Sequence, residues 1–238
     1  MSLLKFIAIY FFDLIDKYIH QKKIVKFLKL SKIRIKIFVD VGAHKGLYTD
    51  LMNNNFIINK ILMFEPQLRI FNHLKKKYKK QKKISIYNNA LSNKNSIMNL
   101  NLNHHDLTSS LSELDKNNIY LKYKAKLFGT NSKNMVYKNI KIKTIKLYDV
   151  LSSRKINQID LLKIDTEGHE LQVLEGLKSK IGKVKCILIE FHNDRIYLNY
   201  SPKKIHSHLI KNNFILKESF KFPFTTWEDR VYLNKKYK

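Results

Sequence analysis

The chain has 238 residues, 44% of them hydrophobic and 27% charged, which excludes a fibrous or wholly disordered protein and leaves room for one α/β domain with a real core. Its 46 Lys and Arg against 19 Asp and Glu give a formal charge of +27, yet only five of those 46 are Arg, the better residue for gripping phosphate. A lysine-rich composition of the kind an AT-rich genome writes therefore accounts for the charge better than polyanion recognition does. The single cysteine, Cys186, excludes an internal disulfide, a cysteine zinc site and an iron–sulfur motif. It sits in the apolar run VKCILIE, where a buried, inert thiol is expected, and a reducing cytoplasm suits it.

In the first 35 residues, Leu4, Ile7, Phe11, Leu14, Ile15 and Tyr18 recur at helical spacing, which predicts an amphipathic N-terminal extension. The longest uncharged run there, Phe6 to Phe12, is far too short to span a membrane. Docking onto the domain is the first expectation for this helix, and peripheral contact with a membrane surface is the second.

From residue 36 to 238 the pattern becomes short β-rich runs alternating with helical ones. IKIFVDVG, KILMFEP and KKISIYNNA read as strands separated by helices, which predicts β-α-β units and a parallel sheet with right-handed crossovers. Residues 92–145 are polar and Asn-rich and read as an insertion or lid region, with strands at IMNLNL and NIKIKTIKL. Order returns with QIDLLKID, HELQVLEGLK, VKCILIEF and a helix in which Ser201 is the N-cap and Pro202 the first residue. The end reads as two antiparallel strands. The fold class is α/β, a mostly parallel doubly wound sheet with an antiparallel C-terminal strand.

In such a sheet, ligands bind beyond the carboxyl ends of the strands. Six of the 19 acids (Asp165, Glu167, Glu170, Glu175, Glu190 and Asp194) fall within 30 residues, and Asp40 and Glu65 also stand where apolar runs stop. The expected arrangement puts Asp40, Glu65, Asp165 and Glu190 at four strand exits around one cleft. In FVDVGAHKGLYT, Gly42 and Gly46 permit a tight strand-to-helix turn. Glu65 follows Gly46 by 19 residues, the spacing at which an acid meets ribose hydroxyls. His44 occupies the place where a dinucleotide's pyrophosphate needs glycine, and there is no triphosphate-binding loop. S-adenosylmethionine fits this description: its ribose diol would meet Glu65, and its carboxylate would lie near Gly46, Tyr48 and Thr49 at the helix N-terminus.

The stretches FVDVGAHKGLYT, MFEP, NNALSN and SSL, and above all DLLKIDTEGHELQVLEG, resemble the FkbM-family methyltransferases, from about residue 36 to 235. The resemblance implies a Rossmann-like class I fold and O-methylation, commonly of sugar or polyketide-type hydroxyls. It also implies that the glycine turn, from Asp40 onward, Glu65 and the loop with Asn89 and Ala90 hold the cofactor. His44 departs from the asparagine usual there. Two independent exclusions agree with methylation of oxygen. The three prolines are nowhere adjacent, so there is no Pro-Pro box of base methylation, and Cys186 follows Lys185 rather than proline.

An alcohol must lose its proton as it attacks, so a positioned base is needed. Asp165 is the first candidate, with Glu167 and His192 on the same rim; Asp165 could equally cap the helix that follows it. Asp165, Glu167, His169, Glu190, His192 and Asp194 are types that Mg²⁺ or Mn²⁺ accepts, but their spacing over two loops defines no octahedral site, and no metal is expected. Ser109 and Ser110 match the family's serine pair. The expected acceptor is a sugar, glycan or related hydroxyl in polysaccharide biosynthesis. An RNA methyltransferase using the basic surface and a non-catalytic cofactor-binding protein are the alternatives.

Overall fold

The computed structural model describes residue 15 and residues 19–103, 109–127, 129–223 and 225–237, with Leu127 described by its backbone alone. The amphipathic extension predicted from Leu4 to Tyr18 lies almost wholly outside them. Helix α1 (Gln21–Leu30) precedes β1 (Ile37–Val41), α2 (Leu47–Asn55), β2 (Lys60–Phe64), α3 (Leu68–Lys77) and β3 (Ile84–Tyr87). Then come β4 (Ala90–Leu91), β5 (Ser96–Asn103), α4 (Ile119–Leu127), β6 (Val136–Ile145), α5 (Leu147–Ser153) and β7 (Ile159–Ile164). The chain finishes with α6 (Glu170–Glu175), β8 (Val184–His192), α7 (Pro202–Lys211), β9 (Phe214–Lys221) and β10 (Trp227–Asn234).

Seven strands form one sheet in the order β3-β2-β1-β7-β8-β10-β9. Neighbours from β3 to β8 are parallel, and β10 runs antiparallel to both β8 and β9. This is the expected doubly wound, Rossmann-like class I arrangement, with β10 as the reversed strand.

Alternation along the strands sends successive residues to opposite faces. Val39, Leu62, Leu162, Ile187 and Tyr232 pack against α5, α6 and α7. Phe38, Ile61, Leu161, Cys186 and Val231 pack against α1, α2 and α3. Helix α1 contributes Ile24, Val25 and Leu28 to that second core, so the described part of the N-terminal extension is built into the domain. His20, just before it, is buried, and its Nε2 lies 2.8 Å from Asp229 Oδ2 on β10. Among the described residues no helix is long and apolar enough to cross a membrane.

The insertion contains the two predicted strands. β5 and β6 pair antiparallel, and the short β4 joins β6 to complete a separate three-stranded sheet. Helix α7 starts as its sequence demands: Ser201 Oγ accepts from Lys204 N–H, and Pro202 supplies the first turn. Lys75, Lys76 and Lys77 close α3, where cations complement the helix dipole.

Candidate active site

The turn after β1 is held by its neighbours. Gly42 (φ +76°) and Ala43 both donate to Phe64 O across the end of β2. A Cβ at Gly42 would run into the Asp165 carbonyl, so only glycine lets the β1 and β7 exits approach this closely. Glu65 is almost fully buried, its Oε2 accepting from His44 N–H (3.0 Å) and its Oε1 from Gln67 N–H (2.8 Å). Asn88 braces the strand end by donating to the carbonyls of Glu65 and Pro66. A cleft open to solvent lies over this turn. Its walls include Val41, Phe64, Leu91 and Leu100, with Glu65, Asp165 and Glu167 among its polar groups.

Behind the cleft runs a buried ionic chain. Asp40 is fully buried; its Oδ2 accepts from Thr49 Oγ (2.7 Å), and its Oδ1 lies 3.7 Å from Lys163 Nζ. Lys163 turns equally to Asp165 Oδ2, at 3.0 Å, and stands 5.3 Å from the Tyr48 ring centroid. Burial lifts the Asp40 carboxyl above its ordinary value, although Lys163 and Thr49 pull it back. Burial alone would lower the Lys163 ammonium, but Asp165 and Asp40 outweigh it and raise it, so Lys163 stays charged. Asp165 is likewise opposed by burial, yet Lys163 and a hydrogen bond from Glu190 hold it below the usual carboxylate range.

The segment after β7 is a tight turn rather than a helix capped by Asp165. Glu167 (φ 55°) and Gly168 (φ +96°) both take left-handed backbone. The turn's donors go to Glu170 Oε1, which accepts from Thr166 N–H, Thr166 Oγ–H and Gly168 N–H, each at 3.0 Å. Glu170 thus gathers the donors of the turn, and α6 begins without a side-chain cap from Asp165. Ser110 Oγ donates to Glu167 O and Ser112 Oγ to Gly168 O, tying the insertion to the turn. Tyr197 hydroxyl donates to Glu167 Oε2 in a very short contact, and the Tyr197 ring occupies the space a Gly168 side chain would need.

Glu190 lies within β8 rather than beyond it, because that strand continues to His192. Burial and the charge of Asp165 keep its carboxyl well above the usual range despite His192. For His192, burial opposes protonation, but Glu190, Glu167 and Glu170 push it up to about 10. It therefore carries a proton at neutral pH. His169, on the cleft wall, is different: burial pushes it down to about 4, and its neutral ring shares a 3.0 Å contact with Ser92 Oγ.

Of the residues the sequence offers for the cofactor, Gly42, His44, Glu65, Ala90 and Asp165 line the cleft; Asp40, Gly46, Tyr48, Thr49 and Asn89 do not. Asp40, Thr49 and Tyr48 belong instead to the chain around Lys163, and Asn89 points its amide at Lys143 O, 3.5 Å away. Among the proposed catalytic groups, Asp165 and Glu167 face the cleft, while His192 is buried behind them. Of the six acids and histidines that could suit a metal, Glu167, Glu190 and His192 bring ligand atoms within 4.8 Å of one another. His169 turns to Ser92, and Asp194 binds Thr226 Oγ and Ile196 N–H. Lys163, Tyr197 and Tyr200 were not singled out from the sequence. A lysine inside the apolar run DLLKID was the available signal for the first, since a buried ammonium requires carboxylates around it.

Comparison with known proteins sets this geometry in a family. Over 51 residues the chain is 35% identical to the hexuronic acid methyltransferase AglP of Haloferax volcanii, a stretch covering 21% of each protein. Its fold is similar to the crystal structure of methyltransferase FkbM from Methylobacillus flagellatus (TM-score 0.54, 14% identity), covering 84% of this chain and 44% of that one. It is also similar to TrmK of M. capricolum in complex with S-adenosylhomocysteine (TM-score 0.51, 13% identity), covering 91% and 68%. The chain thus spans less than half of the FkbM structure, and its match to the curated relative spans about a fifth of that protein. Residues 40–216, from the buried Asp40 to the start of β9, match the methyltransferase FkbM domain, and the chain belongs to that family.

Proposed function

We propose that this protein is an S-adenosylmethionine-dependent O-methyltransferase whose acceptor is a hydroxyl of a sugar or glycan. The observation that carries the reading is Glu65. It is fixed at the β2 exit by two backbone N–H groups, and its carboxylate lines a cleft with apolar walls. Val41, Phe64, Leu91 and Leu100 suit an adenine. When bound, S-adenosylmethionine supplies a methyl group on a sulfonium, which an alcohol oxygen attacks in line as the carbon–sulfur bond breaks.

The chain's part is positioning and proton transfer. Asp165 is ionised and faces the cleft, so it can align the acceptor hydroxyl and accept its proton as the new bond forms. Glu167, fixed by Tyr197 and Ser110, supplies a second acceptor for a neighbouring hydroxyl. His192 supports both from behind. A polyhydroxylated acceptor suits two adjacent carboxylates, and the likeness to a hexuronic acid methyltransferase supports a sugar. The reading puts the enzyme in polysaccharide biosynthesis, in the cytoplasm.

The test is transfer of label from methyl-labelled S-adenosylmethionine to uronic-acid and neutral oligosaccharides, with transfer RNA as comparison. Label in a sugar methyl ether, reduced about a hundredfold or more by Asp165→Asn, is expected. Label in RNA alone, or in no acceptor, contradicts the proposal.

A further inference from the structure

Glu167, Glu190 and His192 bring three ligand atoms within 4.8 Å of one another. His192 Nε2 lies 3.1 Å from Glu190 Oε2 and 3.8 Å from Glu167 Oε2. His192 is only 4% exposed, and its Nε2 and Glu190 Oε2 meet as an ion pair outside strict hydrogen-bond geometry, with no other hydrogen bond to either atom. Two buried ligand-type atoms this close, with no other hydrogen bond to either, are also spaced as neighbouring ligands around a common centre. For bonds of about 2.1–2.2 Å, adjacent octahedral ligands stand roughly 3.0 Å apart and tetrahedral ones roughly 3.5 Å. The 3.1 Å separation matches the octahedral edge; the 3.8 Å one is wider, so Glu167 would have to draw in towards the cation.

We infer that Glu167, Glu190 and His192 form a divalent-cation site, of the Mn²⁺ or Mg²⁺ class, at the edge of the cleft. One imidazole and two carboxylates suit Mn²⁺ better than Ca²⁺, which favours oxygen throughout. The cation takes the place of the imidazole proton, so His192 binds as a neutral ligand through Nε2. Three protein ligands leave coordination positions open for water or a substrate oxygen. The surrounding shell is in place: Tyr197 hydroxyl donates to Glu167 Oε2, and the Tyr197 and Tyr200 rings meet the imidazole edge-on at 5.0 and 5.8 Å.

Binding of the cation stands on this geometry; a role in holding the acceptor hydroxyl rests on the methyltransferase reading. The experiment is therefore Mn²⁺ titration of the full chain without S-adenosylmethionine, followed by the electron paramagnetic resonance signal of free Mn²⁺, with Mg²⁺ as competitor. One Mn²⁺ per chain is expected. Its dissociation constant should rise at least about tenfold in Glu190→Gln and in His192→Gln and stay unchanged in Glu218→Gln, on the exposed edge strand. Circular dichroism confirms that each variant is folded, and the wild-type titration stands without them. No binding by wild type at millimolar Mn²⁺, or equal binding by folded Glu190→Gln and His192→Gln, overturns the inference. S-adenosylmethionine is titrated separately: Mn²⁺ binding without cofactor binding sinks the methyltransferase reading alone, and the reverse sinks the cation site alone.

Discussion

Lys163 and Asp40 are register partners on adjacent parallel strands, and their charged atoms meet 3.7 Å apart in a core where Asp40 is fully buried. The pairing joins β7 to β1 directly beneath the cleft and sets the position of Asp165, the second partner of Lys163. Lys163→Met leaves Asp40 buried without its counter-charge and is expected to cost about 3–5 kcal/mol. Adding Asp40→Asn should restore a large part of that loss. Urea unfolding of the two single variants and the double variant measures the coupling; purely additive losses would show that the pair does not interact.

His169 predicts a specific loss of stability in mild acid. Its folded value is pushed down to about 4, against about 6.5 for a free histidine, because burial disfavours the charged ring. As pH falls below 6.5 the unfolded chain takes up this proton before the folded chain does. The contribution is therefore fully present above about 6.5 and is lost as pH falls towards 4, roughly 3 kcal/mol in all. His169→Gln, which can still meet Ser92, should flatten that part of the stability profile. An unchanged slope between pH 6.5 and 4 in the variant would contradict the assignment.

Gly168 has φ +96° and the Tyr197 ring against its Cα, so Gly168→Ala is strained on both counts. A loss of about 1–3 kcal/mol is expected. Tyr197→Phe keeps the ring, removes the donor to Glu167, and should leave thermal stability closer to wild type. Comparing the two melting temperatures separates packing from hydrogen bonding at this turn, and a fully stable Gly168→Ala would show that the ring moves freely.

Much of this was legible because the signals were local. Strand and helix periods, the Ser201–Pro202 helix start and the two strands of the insertion can all be read from neighbouring residues. The strand-end positions of Glu65 and Asp165 follow from the parallel topology. What stayed hidden depends on contacts distant in sequence. Asp40 reads as a cleft acid until Lys163, 123 positions later, arrives beside it. Tyr197 gives no pattern of its own; it matters because a turn 30 residues earlier has a glycine beneath its ring. VKCILIEF reads as a strand as far as Phe191, yet Glu190 reads as an acid at its exit; pairing with β10 carries through both Glu190 and His192.

His20 ties the N-terminal region to the sheet through Asp229 and meets the stacked rings of Phe222 and Trp227 edge-on. His20→Ala leaves the buried Asp229 without this partner and should cost about 1–3 kcal/mol. Hydrogen exchange should then rise in α1 before it rises in β1 and β7. Equal protection of α1 in both proteins would show that its apolar contacts alone hold it.

The most direct test of the account is calorimetric titration of S-adenosylmethionine into the wild-type protein and Glu65→Ala. Micromolar binding by wild type is predicted, weakened at least tenfold, or about 1.4 kcal/mol, in the variant. A well-folded wild type that binds no S-adenosylmethionine, or a variant that binds it equally well, would contradict the role given to the Glu65 cleft.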